Sequence, residues 1–476
     1  MKILPRFVIL MFISLSANAA VKVHGIFVDH MVLQRDLPIP VYGTADAGET
    51  ITVGFSGQTL TGVADKDGKW CVTLKAMKAC GQPASMTISG KEKLTINDIV
   101  IGDVWICSGQ SNMQLTMQDF HKTEDIAAAN FPLIRQFDVP RTESAVPLGE
   151  VSGSWVVCNP QQAAQFTATG FYFCRKLHQE TRIPMGIIQA AWSGSPIEPY
   201  ISSEAKAAVP ELADTQQAGE QPAPWHIRYC GMISSLIRFP IKGAVWYQGE
   251  TNAMVGNGDR YFFKQKALIN GWRSAWRIGD FPFYFIQLPA YQNSPDQPED
   301  AEGWTNVRIA QLKTLSLPHT GMAVAIDLAN PGDPGDIHPL NKRDVGERLA
   351  LWALAKDYGK KNLVYSGPLY KAMRVEGRKI RIGFDHTGTG LMVGVKKGLE
   401  PTVRDPAGKL KRFAIAGEDK KWVWADAVIE GPTVVLSSPS VAKPVAVRYA
   451  CAKNPEGCNL YNKEGLPASP FKTDSW

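Results

Sequence analysis

Ser108-Gly109-Gln110-Ser111-Asn112-Met113 follows the apolar run Val104-Trp105-Ile106-Cys107, which puts a serine at a strand-to-loop turn. Far along the chain, Gly335-Asp336-Ile337-His338-Pro339 puts a histidine in a loop, with a carboxylate two residues before it, just ahead of an amphipathic helical stretch. Serine is a poor nucleophile at neutral pH. It needs an adjacent base, and the base needs a group that orients it. Together the two segments hold the parts for acyl transfer.

Each candidate also has an ordinary reading. A turn serine usually caps a helix, and Met113 stands where a G-x-S-x-G elbow would have its second glycine. The buried strand before Ser111 and the matching histidine loop favour the catalytic reading. The base follows by elimination among eight histidines. His24, His30 and His386 fall in β-like segments, and His121 and His178 in helix-like ones. His226 and His319 lie in connections away from the active edge. His338 alone sits in a Gly/Pro-rich loop after the last apolar strand.

The orienting acid stays open between Asp336, Asp333 and Glu250; Asp336 could also be a turn former in Gly332-Asp333-Pro334-Gly335-Asp336. The site further needs donors for the developing oxyanion, each typically worth about 2.7–4 kcal/mol. The backbone N–H groups of Ser111 and Gly194 and a side-chain amide from Gln248 or Asn252 are the candidates.

Positioning these groups requires a sheet. Short apolar runs at Val104–Cys107, Gly186–Ala190, Ala244–Tyr247, Phe283–Leu288 and Met322–Ile326 alternate with helical patterns at Ala163–Glu180, Tyr229–Phe239, Arg260–Trp276 and Val307–Leu315. Leu349–Tyr358 continues the helical pattern after the histidine loop. Five such strands imply a mainly parallel sheet covered on both faces, a flavodoxin-like three-layer α/β/α domain. In open parallel sheets, ligands bind beyond the carboxyl ends of the strands. Ser111, Trp192-Ser193-Gly194-Ser195, Gln248-Gly249-Glu250-Thr251-Asn252 and Asp336-Ile337-His338 each follow one of these strands, so all four converge on one edge.

Flanking regions read differently. Residues 20–100 and 361–476 are rich in short alternating runs and Pro/Gly punctuation, as β-sandwich-like segments are. Asp67-Gly68 and Gly377 mark expected hairpins. The expected organisation is a leader at 1–19, an N-terminal β domain at 20–100, the α/β domain at 101–360 and a C-terminal β domain at 361–476.

In residues 1–19, Lys2 and Arg6 form a positive start, Phe7 to Leu15 an apolar middle, and Ala17-Asn18-Ala19 a small-residue cleavage site, the pattern of a signal peptide. The expected mature protein is exported, periplasmic or secreted, with no membrane span. The formal charge of +6 falls to +4 without Lys2 and Arg6, and no basic stripe occurs, which argues against nucleic acid as a partner. Eight cysteines in an exported chain permit disulfides; Cys71 with Cys80 and Cys451 with Cys458 could close short loops. Cys107, Cys174 and Cys230 lie in apolar stretches that suit buried thiols.

Ser108-Gly109-Gln110-Ser111-Asn112-Met113, Trp246-Tyr247-Gln248-Gly249-Glu250-Thr251-Asn252 and Asp336-Ile337-His338-Pro339-Leu340-Asn341-Lys342 resemble signature blocks of the sialate O-acetylesterase family, within the SGNH hydrolase superfamily. Met31-Val32-Leu33-Gln34-Arg35 and the stretch from Asn459 to Phe471 are similar to that family as well, so the resemblance spans nearly the whole chain beyond the leader. It implies Ser111 as nucleophile and His338 as base, with Gly194, Gln248, Glu250 and Asn252 as companion positions. Many SGNH enzymes carry the acid three residues before the histidine, where this chain has Gly335. Ser193 and Cys230 stand where Gly and Asn would be expected.

The resulting expectation is an exported serine esterase that removes O-acetyl groups from sialic acids or related glycans through an acyl-enzyme, without metal or cofactor. Two rivals stand beside it: an esterase of acetylated xylan or other plant polysaccharide, and a non-catalytic glycan-binding protein on the same fold.

Overall fold

The computed structural model describes residues 20–213, 224–256, 258–298, 302–330 and 332–476. The leader expected at 1–19 lies outside them. At the centre is the long strand β1 (Lys93–Gly109). Its first half alternates exposed and buried residues, and from Ile99 onward every residue is buried. That change is the signature of a strand leaving a one-sided antiparallel sheet for the interior of a parallel one. The first half pairs antiparallel with Cys80–Ser89, and the second half with parallel neighbours on both sides. The boundary expected at residues 100/101 therefore falls inside a continuous strand, and Val32–Gln34 pairs in parallel across it with Val100–Gly102.

The remaining strands of the sheet are β2 (Phe131–Asp138), β3 (Trp155–Cys158), β4 (Met185–Ala191), β5 (Gly243–Tyr247), β6 (Phe283–Gln287) and β7 (Thr320–Val324). Their order is β3-β2-β4-β1-β5-β6-β7. The five strands anticipated from apolar runs are β4-β1-β5-β6-β7, a 2-1-3-4-5 order with every neighbouring pair parallel. The number five needs correction. β2 adds a sixth parallel strand beside β4, and β3 closes that edge antiparallel, giving a mixed sheet.

Six helices matter for the site: α1 (Ser111–Gln114), α2 (Ala168–Thr181), α3 (Glu250–Met254), α4 (Tyr261–Trp276), α5 (Glu302–Thr314) and α6 (Lys342–Lys356). Because side chains alternate along a strand, the sheet divides two cores. Trp105, Cys107, Val245, Tyr247 and Tyr284 pack with Phe173 of α2 and Leu349 and Trp352 of α6. Val104, Ile106, Trp246 and Phe283 pack with Leu268 and Trp272 of α4 and Val307 of α5. The result is three layers, helix on sheet on helix. α6 begins at Lys342, earlier than the sequence pattern suggested, because the Asn341 side chain caps it by accepting from the Asp344 N–H at 3.0 Å.

The C-terminal region forms small antiparallel sheets, with the hairpin at Gly377 joining Leu369–Glu376 to Lys379–Asp385. Asp67-Gly68 behaves otherwise. The Asp65 carboxylate accepts from the Asp67 and Lys69 N–H groups, each at 2.9 Å, and the turn passes the chain from one sheet to another instead of pairing its flanking strands. Neither short-loop disulfide that the spacing permits is formed: Cys71 and Cys80 are exposed free thiols, and Cys451 and Cys458 are free as well. Cys107, Cys158, Cys174 and Cys230 are buried, and the buried Cys451 thiol donates to the Phe471 carbonyl at 3.3 Å. No helix among the described residues is long and apolar enough to cross a membrane.

Candidate active site

β1 ends where its neighbour leaves no room for a side chain. A Cβ at Gly109 would lie 2.1 Å from the Tyr247 carbonyl oxygen, and its φ of +131° excludes other residues a second time. The same carbonyl accepts the Gln110 N–H at 2.9 Å, so the chain turns sharply and Ser111 opens α1. Four residues cannot sustain a helix alone. α1 is instead held by the start of α2, where the Thr169 hydroxyl donates to the Asn112 carbonyl at 3.0 Å and the Thr167 hydroxyl to the Met113 carbonyl at 2.5 Å. Gln114 ties the turn to the loop after β4 by accepting from the Ser193 N–H at 2.7 Å.

The histidine loop arrives from the end of β7. His338 Nε2 lies 2.8 Å from Ser111 Oγ, and His338 Nδ1 lies 3.1 Å from Asp336 Oδ1. Asp336 Oδ1 also accepts the His338 backbone N–H at 2.9 Å, which folds the loop back on itself. Asn330 braces it: its Nδ2 donates to Asp336 Oδ2 at 3.0 Å and to the His338 carbonyl at 3.1 Å, while its Oδ1 accepts from the Leu340 N–H at 2.8 Å. Three candidates from opposite ends of the chain thus stand in the order serine, histidine, aspartate. Asp336 occupies the orienting position. Asp333 is exposed in the turn, with its backbone carbonyl accepting from the Asp336 N–H at 3.1 Å.

The electrostatics suit a neutral imidazole. Burial, followed by the nearby Lys342 charge, lowers the His338 pKa below its ordinary 6.5, and Asp336 offsets only part of this. Ser111 is only 9% exposed. The His338 side chain keeps 30% of its surface, enough to reach solvent.

The companion positions sort themselves by hydrogen bonding. Gln248 is buried, and its Nε2 donates to Asn252 Oδ1 at 2.7 Å, the Ser195 carbonyl at 3.1 Å and Gln110 Oε1 at 3.2 Å. Asn252 Nδ2 donates to both oxygens of Glu198, at 3.1 and 3.0 Å. Both side-chain amides expected as oxyanion donors are therefore committed to protein acceptors. A buried loop must satisfy its own polar atoms first, and these two amides hold the loops after β4 and β5 together. Gly194, at φ +70°, is exposed in the loop after β4. Glu250 is fully buried and bonded to Asn112, not to the histidine. Its pKa is raised by burial.

Sequence reasoning missed Asn112, Asn330 and Lys342 as parts of this assembly. Asn112 and Lys342 sit inside the motif blocks, whereas Asn330 carries no signal beyond lying after a buried strand. Among the described residues, no group of three or more His, Cys, Asp or Glu side chains is arranged to hold a metal ion.

An α/β sheet with a serine, a histidine and an aspartate hydrogen-bonded in series at its carboxyl edge is the arrangement of a serine hydrolase. Comparison with known proteins narrows the class. Residues 101–355 match the family described as carbohydrate esterase, sialic acid-specific acetylesterase. The chain is 30% identical to the sialate O-acetylesterase of Rattus norvegicus, over 93% of this chain and 92% of that one. It is likewise 30% identical to the sialate O-acetylesterase of Homo sapiens, over 93% and 90%. A crystal structure of a carbohydrate acetylesterase from Xanthomonas citri superposes with a TM-score of 0.86 at 38% identity, covering 96% of this chain and all of that one. The chain belongs to the sialate O-acetylesterase family and is an ester hydrolase of that kind.

Proposed function

We propose that this protein is an exported serine carbohydrate esterase that removes O-acetyl groups from sialic acids or related acetylated glycans through an acyl-enzyme on an SGNH-type domain. The observation that carries the reading is the serine–histidine–aspartate series, with Ser111 Oγ at 2.8 Å from His338 Nε2 and Asp336 at 3.1 Å from the other ring nitrogen. Ser111 attacks the acetyl carbonyl while His338 takes its proton. Asp336 holds the imidazole in the tautomer that presents a bare Nε2 and stabilises the imidazolium that forms. The tetrahedral oxyanion is met by backbone N–H groups. Ser111 begins α1, where N–H groups have no intrahelical acceptor, and Gly194 is the second donor. His338 then protonates the leaving sugar alkoxide, a water deprotonated by His338 attacks the acetyl-enzyme, and acetate departs with the serine restored. This chemistry calls on no metal or cofactor.

The relatives named for sialate and for carbohydrate acetate esters support an O-acetylated sugar as substrate. Export is supported by the positive, apolar and small-residue sequence of residues 1–19. The decisive experiment is acetate release from a panel containing O-acetylated sialic acids, acetylated xylan and acetylated neutral sugars. Release from the sialic acids at a higher kcat/KM than from xylan is expected. Preference for xylan would move the assignment to plant polysaccharide. No release from any member, with no covalent labelling of Ser111 by an organophosphate, would leave a glycan-binding protein.

A further inference from the structure

Asn112, the residue after the nucleophile, is completely buried, and its amide is engaged at both ends. Its Oδ1 accepts from the Lys342 ammonium. Its Nδ2 donates to Glu250 Oε1 at 2.6 Å and to the Ile337 carbonyl at 3.1 Å. A cation at the carbonyl end and a carboxylate at the amino end fix the orientation of that amide, because a flip would set acceptor against acceptor and donor against donor. One side chain thus joins the nucleophile turn, the first residues of α3 and α6 and the residue preceding the base.

The charged partners are unusual in their burial. Lys342 and Glu250 have no exposed surface, and the second carboxylate oxygen of Glu250 has no hydrogen-bond partner. The Lys342 ammonium lies 4.5 Å from the centre of the Phe120 ring and 5.4 Å from that of Tyr247. Burying an ion costs several kcal/mol even after relaxation, so packing alone would favour apolar residues at these positions. We propose that Lys342, Asn112 and Glu250 form a buried positioning unit that holds the nucleophile turn and the histidine loop in register and keeps a positive charge beside His338.

The inference rests on the serine-esterase reading and extends it to residues that do not touch the substrate. Facing Lys342 are Glu250 from α3, Asp336 from the histidine loop and Lys122 from the segment before Thr123. Facing His338 are Lys342 and Asp336. Burial pulls the Lys342 pKa down to about 7, so the side chain carries its charge below that value. Removing that charge favours the imidazolium, and the pKa of His338 must rise.

The test uses the whole chain and a small aryl acetate, with organophosphate labelling of Ser111 in the wild type as control. Lys342→Met should lower kcat about tenfold or more, since small misplacement of reacting groups is costly. KM should stay within about twofold, and the acid limb of kcat/KM should move upward. Glu250→Gln should also lower kcat at nearly constant KM, and the double variant should be little worse than the more damaging single one, as parts of one unit behave. Wild-type kcat in both single variants, or a lowered kcat with an unmoved acid limb in Lys342→Met, overturns the proposal. Should Lys342→Met fail to fold, wild-type kcat in Glu250→Gln overturns it alone. Absence of labelling in the wild type would instead sink the serine-esterase reading beneath it.

Discussion

With Ser111 Oγ already 2.8 Å from His338 Nε2, the nucleophile and base are aligned before any substrate arrives. Ser111→Ala should therefore abolish turnover, by about 10⁴-fold or more, while leaving the thermal melting temperature close to wild type. A variant that retains comparable activity would remove Ser111 from the mechanism. The base must be neutral to accept the serine proton, and His338 titrates below 6.5 in the folded protein. Activity should be full above that value and fall as the pH drops through the lowered pKa, so the acid limb of kcat/KM should lie below pH 6.5. A limb above it would contradict the burial and charge around the ring. Asp336→Asn should lower kcat steeply, by up to about 10⁴-fold, because an amide at that position favours the wrong tautomer. Steady-state kinetics of this variant beside Glu250→Gln, whose effect should be smaller, check the assignment of the acid.

The elements explain why such separate residues can meet. The turn after β1 exists because Gly109 lets the strand pass against the Tyr247 carbonyl. Gly109→Ala should cost roughly 1–3 kcal/mol from backbone strain alone, more with the steric clash, and should lower activity by displacing Ser111. Urea unfolding and kcat measured on the same preparation test this; an unchanged midpoint would mean that β1 and β5 can separate at no cost. The loop after β7 depends on Asn330, which satisfies both the carboxylate of Asp336 and the carbonyl of His338. Asn330→Ala should reduce kcat about 10–100-fold with little change in the melt, because the loop keeps its place but loses its geometry.

At the scale of the whole molecule, the C-terminal sheets are built into the α/β core. Arg308 of α5 is buried and donates to the carbonyls of Leu288 and Pro289 on one side and of Ala452 and Lys453 on the other. Tyr461 adds a bond to Asp327 at 3.1 Å, and Gln287 one to Ser469 at 2.8 Å. Arg308→Met would leave these four carbonyls without that donor, at a cost of about 3 kcal/mol or more. A single urea transition shifted to lower denaturant is expected. Two separated transitions would show the C-terminal sheets to be an independent unit.

The sequence alone determined the parts whose physics is local. Strands of a covered parallel sheet must be apolar along their length, so β1, β4, β5, β6 and β7 could be read from short apolar runs, and their order of helices and loops set four polar segments on one edge. Ser111 and His338 were legible because each lies in a turn or loop after such a run, and His338 alone of the eight histidines sits in a Gly/Pro-rich loop there. β2 was not legible. Its Arg135 and Gln136 are buried, and they are tolerable there only because Arg135 bonds to the carbonyl of His30 and the carboxylate of Asp98, and Gln136 to the N–H of Thr167. The roles of Gln248 and Asn252 depended on Ser195 and Glu198, and the burial of Lys342 on Asn112, partners distant in sequence. Whether a polar side chain is free to act on a substrate or is consumed in holding the fold depends on what the tertiary structure brings within about 3 Å of it, and sequence spacing does not carry that distance.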